Sequence, residues 1–205
     1  MAPTISRDSL VLHKTKPAVV LRSSDKLEIL FQDGKTLNVR PKDVVVLHPG
    51  PIDFSEMKAP PGDVLAAWEL LEETTTTLAE LAELAYGQYT PASAWAAWEW
   101  VIDGLYFSGE PDAIHSHSRA HVEKEQRSRA ARAAEAQAWT GFLGRVREHR
   151  FDPEDSRYLA EVEQMALGQR DKSRVLAELG QAQTPESAHG LLLGLGVWDA
   201  TIDPY

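Results

Sequence analysis

A chain of 205 residues and 22.7 kDa, 43 % hydrophobic and 25 % charged, has room for one large domain or two to three small ones and is too ordinary in composition for wholesale disorder. It contains no cysteine, which excludes disulfides, thiolate metal sites and cysteine nucleophiles and fits a reducing, cytoplasmic setting. No apolar run approaches the roughly 18 residues of a membrane span, Met1–Leu21 carries Arg7, Asp8, Lys14 and Lys16 without a secretory pattern, and a net charge of −10 with a pI near 5.2 excludes a surface that grips nucleic acid all over.

The first 50 residues alternate with period two, as strands do. Strands are expected at Leu10–Leu12, Ala18–Leu21, Leu27–Phe31, Thr36–Val39 and Val44–Leu47. Leu27, Ile29 and Phe31 share a face that Leu37 and Val39 continue inward beyond the turn. Asp33-Gly34 predicts a two-residue hairpin with positive φ at both positions. Five short strands in this length suggest a small SH3-like β-barrel over residues 1–50.

Pro49-Gly50-Pro51 and Pro60-Pro61-Gly62 bracket a linker, after which the apolar period becomes 3.6. Asp63 caps a helix carrying Val64, Ala67, Trp68 and Leu71, and the Thr74–Thr77 run ends it and caps a second, with Leu78, Leu81, Ala82 and Ala85 on one stripe. Thr90-Pro91 opens a third helix with Ala94, Trp95, Trp98 and Val101 or Ile102 inward, up to Gly104. Leu105-Tyr106-Phe107 and Ala113-Ile114 then predict a hairpin. Three helices and a hairpin make residues 60–117 a winged helix-turn-helix.

Residues 118–205 read as all-helical, which makes the fold class α+β. A long polar helix runs from Ser118 to about Arg150, and Asp152-Pro153 starts another through Tyr158, Leu159, Val162 and Met165. Leu176-Ala177-Glu178-Leu179 and Thr184-Pro185-Glu186-Ser187-Ala188 then echo Leu81–Leu84 and Thr90–Ala94. The echo fits either a second, wingless helix-turn-helix arising by duplication or the general use of Thr-Pro at helix starts.

Charge is unevenly spread. Met1–Gly50 has 8 bases and 5 acids, Pro51–His115 one base and 12 acids, and Ser116–Tyr205 12 bases and 14 acids. A polyanion is drawn to the first and third segments and repelled by the second. Lys14, Lys16, Arg22, Lys26, Lys35, Arg40 and Lys42 are the candidate phosphate contacts. Arg119, Lys124, Arg127, Arg129 and Arg132 on the long helix are partly neutralised by Glu123, Glu125 and Glu135. The third helix, Pro91–Asp103, contains no Lys, Arg, Asn or Gln, so sequence-specific DNA reading by it is not expected. Trp95 and Trp98 belong to its buried face, whereas Trp100 points elsewhere and is a candidate aromatic anchor for a partner.

No catalytic or metal residue is assigned. His115, His117 and His121 lack a third ligand and the His-Glu-x-x-His pattern, and read as a solvated loop and helix start. Glu69, Glu72, Glu73, Glu80 and Glu83 alternate with apolar stripes instead of converging as a two-metal site requires.

The runs Ala67-Trp68-Glu69-Leu70-Leu71, Leu78–Gly87, Tyr89-Thr90-Pro91-Ala92-Ser93-Ala94-Trp95 and Asp103–Gly109 resemble the region preceding the catalytic domain of bacterial ribonuclease II-family exoribonucleases, in the branch found in cyanobacteria and deinococci. Ala166–Gln169, Lys172–Leu176, Thr184–His189 and Trp198-Asp199 are similar too, so the resemblance covers nearly all of the chain from Ser9. It implies an enzyme that degrades single-stranded RNA from the 3′ end with Mg2+ held by an aspartate cluster of its catalytic domain. Here a helix-turn-helix module takes the place of paired cold-shock barrels. That aspartate motif is absent, and the sequence stops at Asp203-Pro204-Tyr205, about where a catalytic domain would start. No active-site residue carries over. The expected role is therefore an RNA-access region, either a fragment of such an enzyme or a free-standing relative, with single-stranded RNA and the catalytic domain or a protein as partners. A non-enzymatic winged-helix protein-interaction module is the alternative, and a DNA-binding regulator the least expected reading.

Overall fold

The computed structural model describes residues 5–52, 54–59 and 61–199, and these divide into two compact units, 1–127 and 128–205. Pro60, at one end of the expected linker, and Asp203-Pro204-Tyr205 lie outside the described residues.

In the first unit, β1 (Leu10–His13), β2 (Lys16–Ser23), β3 (Leu27–Phe31), β4 (Thr36–Val39) and β5 (Val45–His48) form an antiparallel sheet in the order β4-β3-β2-β1-β5. Among the described residues no ladder joins β4 to β5, so the sheet stays open where a closed SH3-like barrel was expected. Four-residue strands at both edges leave too few paired positions to carry the curl round to closure. The hairpin differs as well. Only Gly34 has positive φ, at 80°. Its N–H donates to Phe31 O at 3.0 Å, and Phe31 N–H donates to Lys35 O at 2.9 Å. The turn is thus a three-residue loop with glycine in the left-handed position. Leu37, on the edge strand, is exposed, not inward.

The sheet buries both faces. Val11, Ala18, Val20, Leu27, Ile29, Val39 and Val44 form one core. Leu10, Leu12 and Leu47 face the other way and join the core of three helices. These are α1 (Val64–Leu71), α2 (Leu78–Tyr86) and α3 (Pro91–Asp103). Each starts as the sequence requires. Asp63 accepts from Ala66 N–H, and capping boxes pair Thr77 with Glu80 and Thr90 with Ser93. The Thr77 backbone N–H, with the Thr76 and Thr77 hydroxyls, holds the Glu80 carboxyl below its ordinary pKa.

The wing consists of β7 (Phe107–Glu110) and β8 (Ala113–Ser116), and β8 also pairs with a two-residue strand, β6 (Thr75–Thr76), between α1 and α2. The threonine run is thus both helix cap and sheet edge. β6 is the element the sequence reading missed, two residues being too few to show a period.

One contact set ties β5 to the helices. Tyr89 Oη donates to Leu47 O at 2.6 Å, and the Tyr89 ring lies 4.5 Å from that of His48. Burial raises the Tyr89 pKa. Burial also lowers that of His48 from 6.5, more than its hydrogen bond to the Tyr89 backbone raises it. His48 Nδ1 accepts from Gly50 N–H at 2.9 Å, a bond that needs the neutral ring.

Helix α4 (Arg119–Arg147) begins in the first unit and ends in the second. In the second unit α5 (Ser156–Ala166), α6 (Arg174–Glu178) and α7 (Pro185–Gly194) pack with the end of α4 around Phe142, Val146, Leu159, Val162, Leu176 and Leu192. Arg145 grips the buried Asp155 through two hydrogen bonds, 2.8 and 2.5 Å, where Asp152-Pro153 breaks the chain before α5.

Two outcomes follow. Tyr89→Phe leaves Leu47 O without its donor and is expected to lower stability by about 1 kcal/mol in urea titration. Because the folded His48 has a pKa below its unfolded value, the unfolded chain takes up the proton first. Stability is then lost as pH falls below about 6.5. His48→Gln is expected to flatten that limb below about pH 6.5 in thermal melts.

Candidate nucleic-acid interface

Lys14, Lys16, Arg22, Lys26, Lys35, Arg40 and Lys42 are all exposed, but the sheet divides them between its two ends. Lys14 and Lys16 flank the β1–β2 turn, and pairing of Ala18 with Phe31 brings Lys16 towards the β3–β4 turn that holds Lys35. Asp33 lies between the two lysines. The Lys35 backbone N–H, donating at 3.1 Å, leads the influences that hold its carboxyl below the usual range, helped by the Lys35 and Lys16 charges. Lys16, Pro17, Phe31 and Gln32 line a shallow hollow of about 400 Å³ beside it.

Arg22, Lys26 and Arg40 occupy the opposite end, since Leu27 pairs with both Ser23 and Val39. The length of β2 separates the groups by roughly 20 Å. Arg22 lies 4.0 Å from Glu28, and Arg40 donates to both oxygens of Asp43 at 2.8 and 3.1 Å. This bond pulls the Asp43 pKa down. The sheet therefore offers two small basic ends, not one basic face.

Helix α3 sits where a winged helix would read DNA, yet its surface is almost used up. Ala94, Ala97, Trp98 and Val101 are buried with Leu10, Leu12 and Leu47 in the same core, and Ala92 is buried too. Only Glu99, Ile102 and Asp103 of the helix are exposed. Two negative charges and one isoleucine give no donors for base edges and repel phosphate. Trp100 is not a free anchor. It is half-buried and stacked on Tyr86, ring centroids 5.3 Å apart and 15° between planes.

His115 and His121 are exposed, as expected, whereas His117 is half-buried and structural. His117 lies between Leu105 O, 3.1 Å from Nδ1, and Ser108 Oγ, 2.8 Å from Nε2. Its backbone carbonyl accepts from Trp68 Nε1 at 2.6 Å. His115 Nδ1 lies 2.8 Å from Thr75 Oγ1. Among the described residues no three His, Asp or Glu are placed to hold a metal ion. Two of the five acids are engaged within the fold, Glu72 accepting from Arg119 N–H at 2.9 Å and Glu80 closing a cap.

In the second unit α6 and α7 make a helix-turn-helix pair, α6 capped by Ser173 and α7 by Thr184 of the Thr-Pro start. Helix α7 also lacks Lys and Arg, and exposes Glu186, Gly190, Leu193 and Gly194. Basic and aromatic side chains gather instead where α4, α5 and the start of α6 meet. The Arg174 guanidinium lies 4.2 Å over the Trp139 ring and that of Arg157 4.5 Å over Tyr158. Arg170 and Gln164 line the same hollow of about 390 Å³. Sequence reading passed over this group because its members are scattered over three elements and share no local spacing.

Residues 122–204 match a family model described as a double HTH domain, the helix-turn-helix domain of ribonuclease II. The match covers less than half of the chain, from within α4 through α7, and does not include the winged helix. No curated protein matches the chain. Among the described residues no helix is long and apolar enough to cross a membrane.

Since both ring nitrogens of His117 are engaged, His117→Ala is expected to cost about 1–2 kcal/mol in guanidinium unfolding. Added Zn2+ is expected to leave the wild-type midpoint unchanged.

Proposed function

We propose that this chain is an RNA-access region of a ribonuclease II-type 3′-to-5′ exoribonuclease, binding single-stranded RNA without hydrolysing it. The observation that carries this reading is the match of residues 122–204 to the ribonuclease II double HTH domain. The sequence resemblance of the remainder, in the cyanobacterial and deinococcal branch, points the same way. Phosphate contacts fall to the two ends of the sheet, Lys14, Lys16 and Lys35 at one and Arg22, Lys26, Arg40 and Lys42 at the other. The acidic segment 51–115 repels RNA and turns it towards them.

Mg2+ chemistry needs converging carboxylates. The described residues do not fit such a centre, so no step of this reading runs through a metal; Mg2+ belongs with the catalytic domain of such an enzyme, in the cytoplasm. A second reading, a winged-helix module that binds protein, is favoured by one observation. Helix α3 packs Ala94, Ala97, Trp98 and Val101 into the core and exposes no basic or amide side chain, which leaves packing as the role of the winged helix.

With a 3′-labelled single-stranded RNA of twelve nucleotides, fluorescence anisotropy in low salt is expected to show binding. The log–log slope on salt should be roughly −0.7 per phosphate neutralised. Replacing Lys14, Lys16 and Lys35 together by Ala is expected to flatten it by up to about 2. Incubation with Mg2+ is expected to release no mononucleotide. Absence of binding overturns the RNA reading in favour of the protein module, and mononucleotide release overturns the non-hydrolytic role.

A further inference from the structure

We infer that the hollow between α4, α5 and α6 is a single-stranded RNA subsite, in which the outer face of Arg174 stacks a base and Arg170 and Arg174 hold the adjoining phosphate. The inference rests on the RNA reading above and assigns it a place in the second unit.

The floor is aromatic. Trp139 and Tyr158 meet edge to face, centroids 5.2 Å apart and 76° between planes, and both lean on the buried Phe142, at 5.6 and 4.9 Å. Their positions are therefore set by the core and not by a ligand. Over Trp139 lies the Arg174 guanidinium, 4.2 Å from the ring centre. The guanidinium thus contacts the indole on one side, while the side chain as a whole is exposed. A planar cation sandwiched on one side only presents its other face to a second π-system and its edge donors to an anion.

The two carboxylates near the hollow are spoken for. Glu135 accepts from Tyr158 Oη at 2.8 Å and pairs with Arg157 at 2.9 Å. Glu161 accepts from Ser173 Oγ at 3.0 Å and Val175 N–H at 2.9 Å, which fastens the start of α6, and lies 3.9 Å from Arg170. Arg174 makes no ion pair or hydrogen bond with any described residue. The local balance is one positive charge in excess, with the free donors at the aromatic side. The Gln164 amide, exposed on α5, adds a donor and an acceptor suited to a base edge.

A volume of about 390 Å³ lies at the low end of small-ligand sites and takes a nucleotide, not a duplex. An acidic peptide would use the same arginines but gains nothing from the exposed guanidinium face, since carboxylates bind edge-on. Stacking that accepts any base, joined to phosphate contact, is the mode by which proteins hold unpaired strands without reading them.

The test uses the whole chain and labelled oligouridylate of twelve nucleotides in anisotropy titrations. Arg174→Ala is expected to weaken binding about tenfold. Arg174→Lys, which keeps the charge and loses the plane, should recover only part of it. Neither variant touches the core, and equal melting temperatures will verify that. Trp139→Phe keeps an aromatic floor, so retained binding with loss of part of the RNA-induced tryptophan quenching would locate the RNA at this ring. Unchanged affinity in the Arg170→Ala/Arg174→Ala double variant, with affinity lost in the Lys14/Lys16/Lys35 variant, overturns the subsite and leaves the RNA reading standing. No RNA binding by the wild-type chain overturns both. Equal competition by duplex RNA, or tighter binding of an acidic peptide that Arg174→Ala abolishes, overturns the assignment to single strands.

Discussion

The burial of Leu10, Leu12 and Leu47 against the helices shapes the whole first unit. A five-stranded open sheet with four-residue edge strands has two faces to cover, and only one of them can be covered by its own curl. The other finds its partner in α3 and its neighbours, where Trp98, Ala94 and Ala97 complete one continuous core. Each such side chain removed from water contributes of the order of 2 kcal/mol. The polar fastening, Tyr89 Oη to Leu47 O and the neutral His48 ring beside it, fixes the register of that packing rather than supplying most of its energy.

A functional consequence follows from the same contact. A winged helix that reads DNA keeps its third helix bare and rich in donors. Here the helix is drawn into the core, and its exposed remnant is acidic. Its wing is likewise held from within, by His117 between Leu105 and Ser108 and by Trp68 on the His117 carbonyl. Strong internal fastening and absent donors suit an element that supports others, which is why the proposed RNA contacts lie at the sheet ends and in the second unit.

In the second unit, charge and aromatic surface are combined differently. The Arg145–Asp155 pair is largely internal and anchors the break between α4 and α5. Arg174 and Arg157, by contrast, lie on aromatic rings at the surface. The first arrangement consumes its hydrogen-bonding capacity within the fold. In the second, Arg157 still pairs with Glu135 but Arg174 keeps its donors free, and that surplus is what the proposed subsite uses.

Local rules made much of the architecture legible. Strand positions followed from period two, helix starts from Asp63, Thr77, Thr90 and Thr184, and the helix break from Asp152-Pro153. The charge content of α3 already argued against base reading. Non-local facts were out of reach: the open edge between β4 and β5, the two-residue β6, the stacking of Trp100 on Tyr86, and the partition of seven basic residues between two ends of a sheet. The gathering of Trp139, Tyr158, Arg170 and Arg174 was equally hidden. Capping and periodicity act over a few bonds and are written into adjacent residues. Which faces meet, and which charges then remain unpaired, depends on contacts between residues far apart in the chain, and only the packed structure determines them.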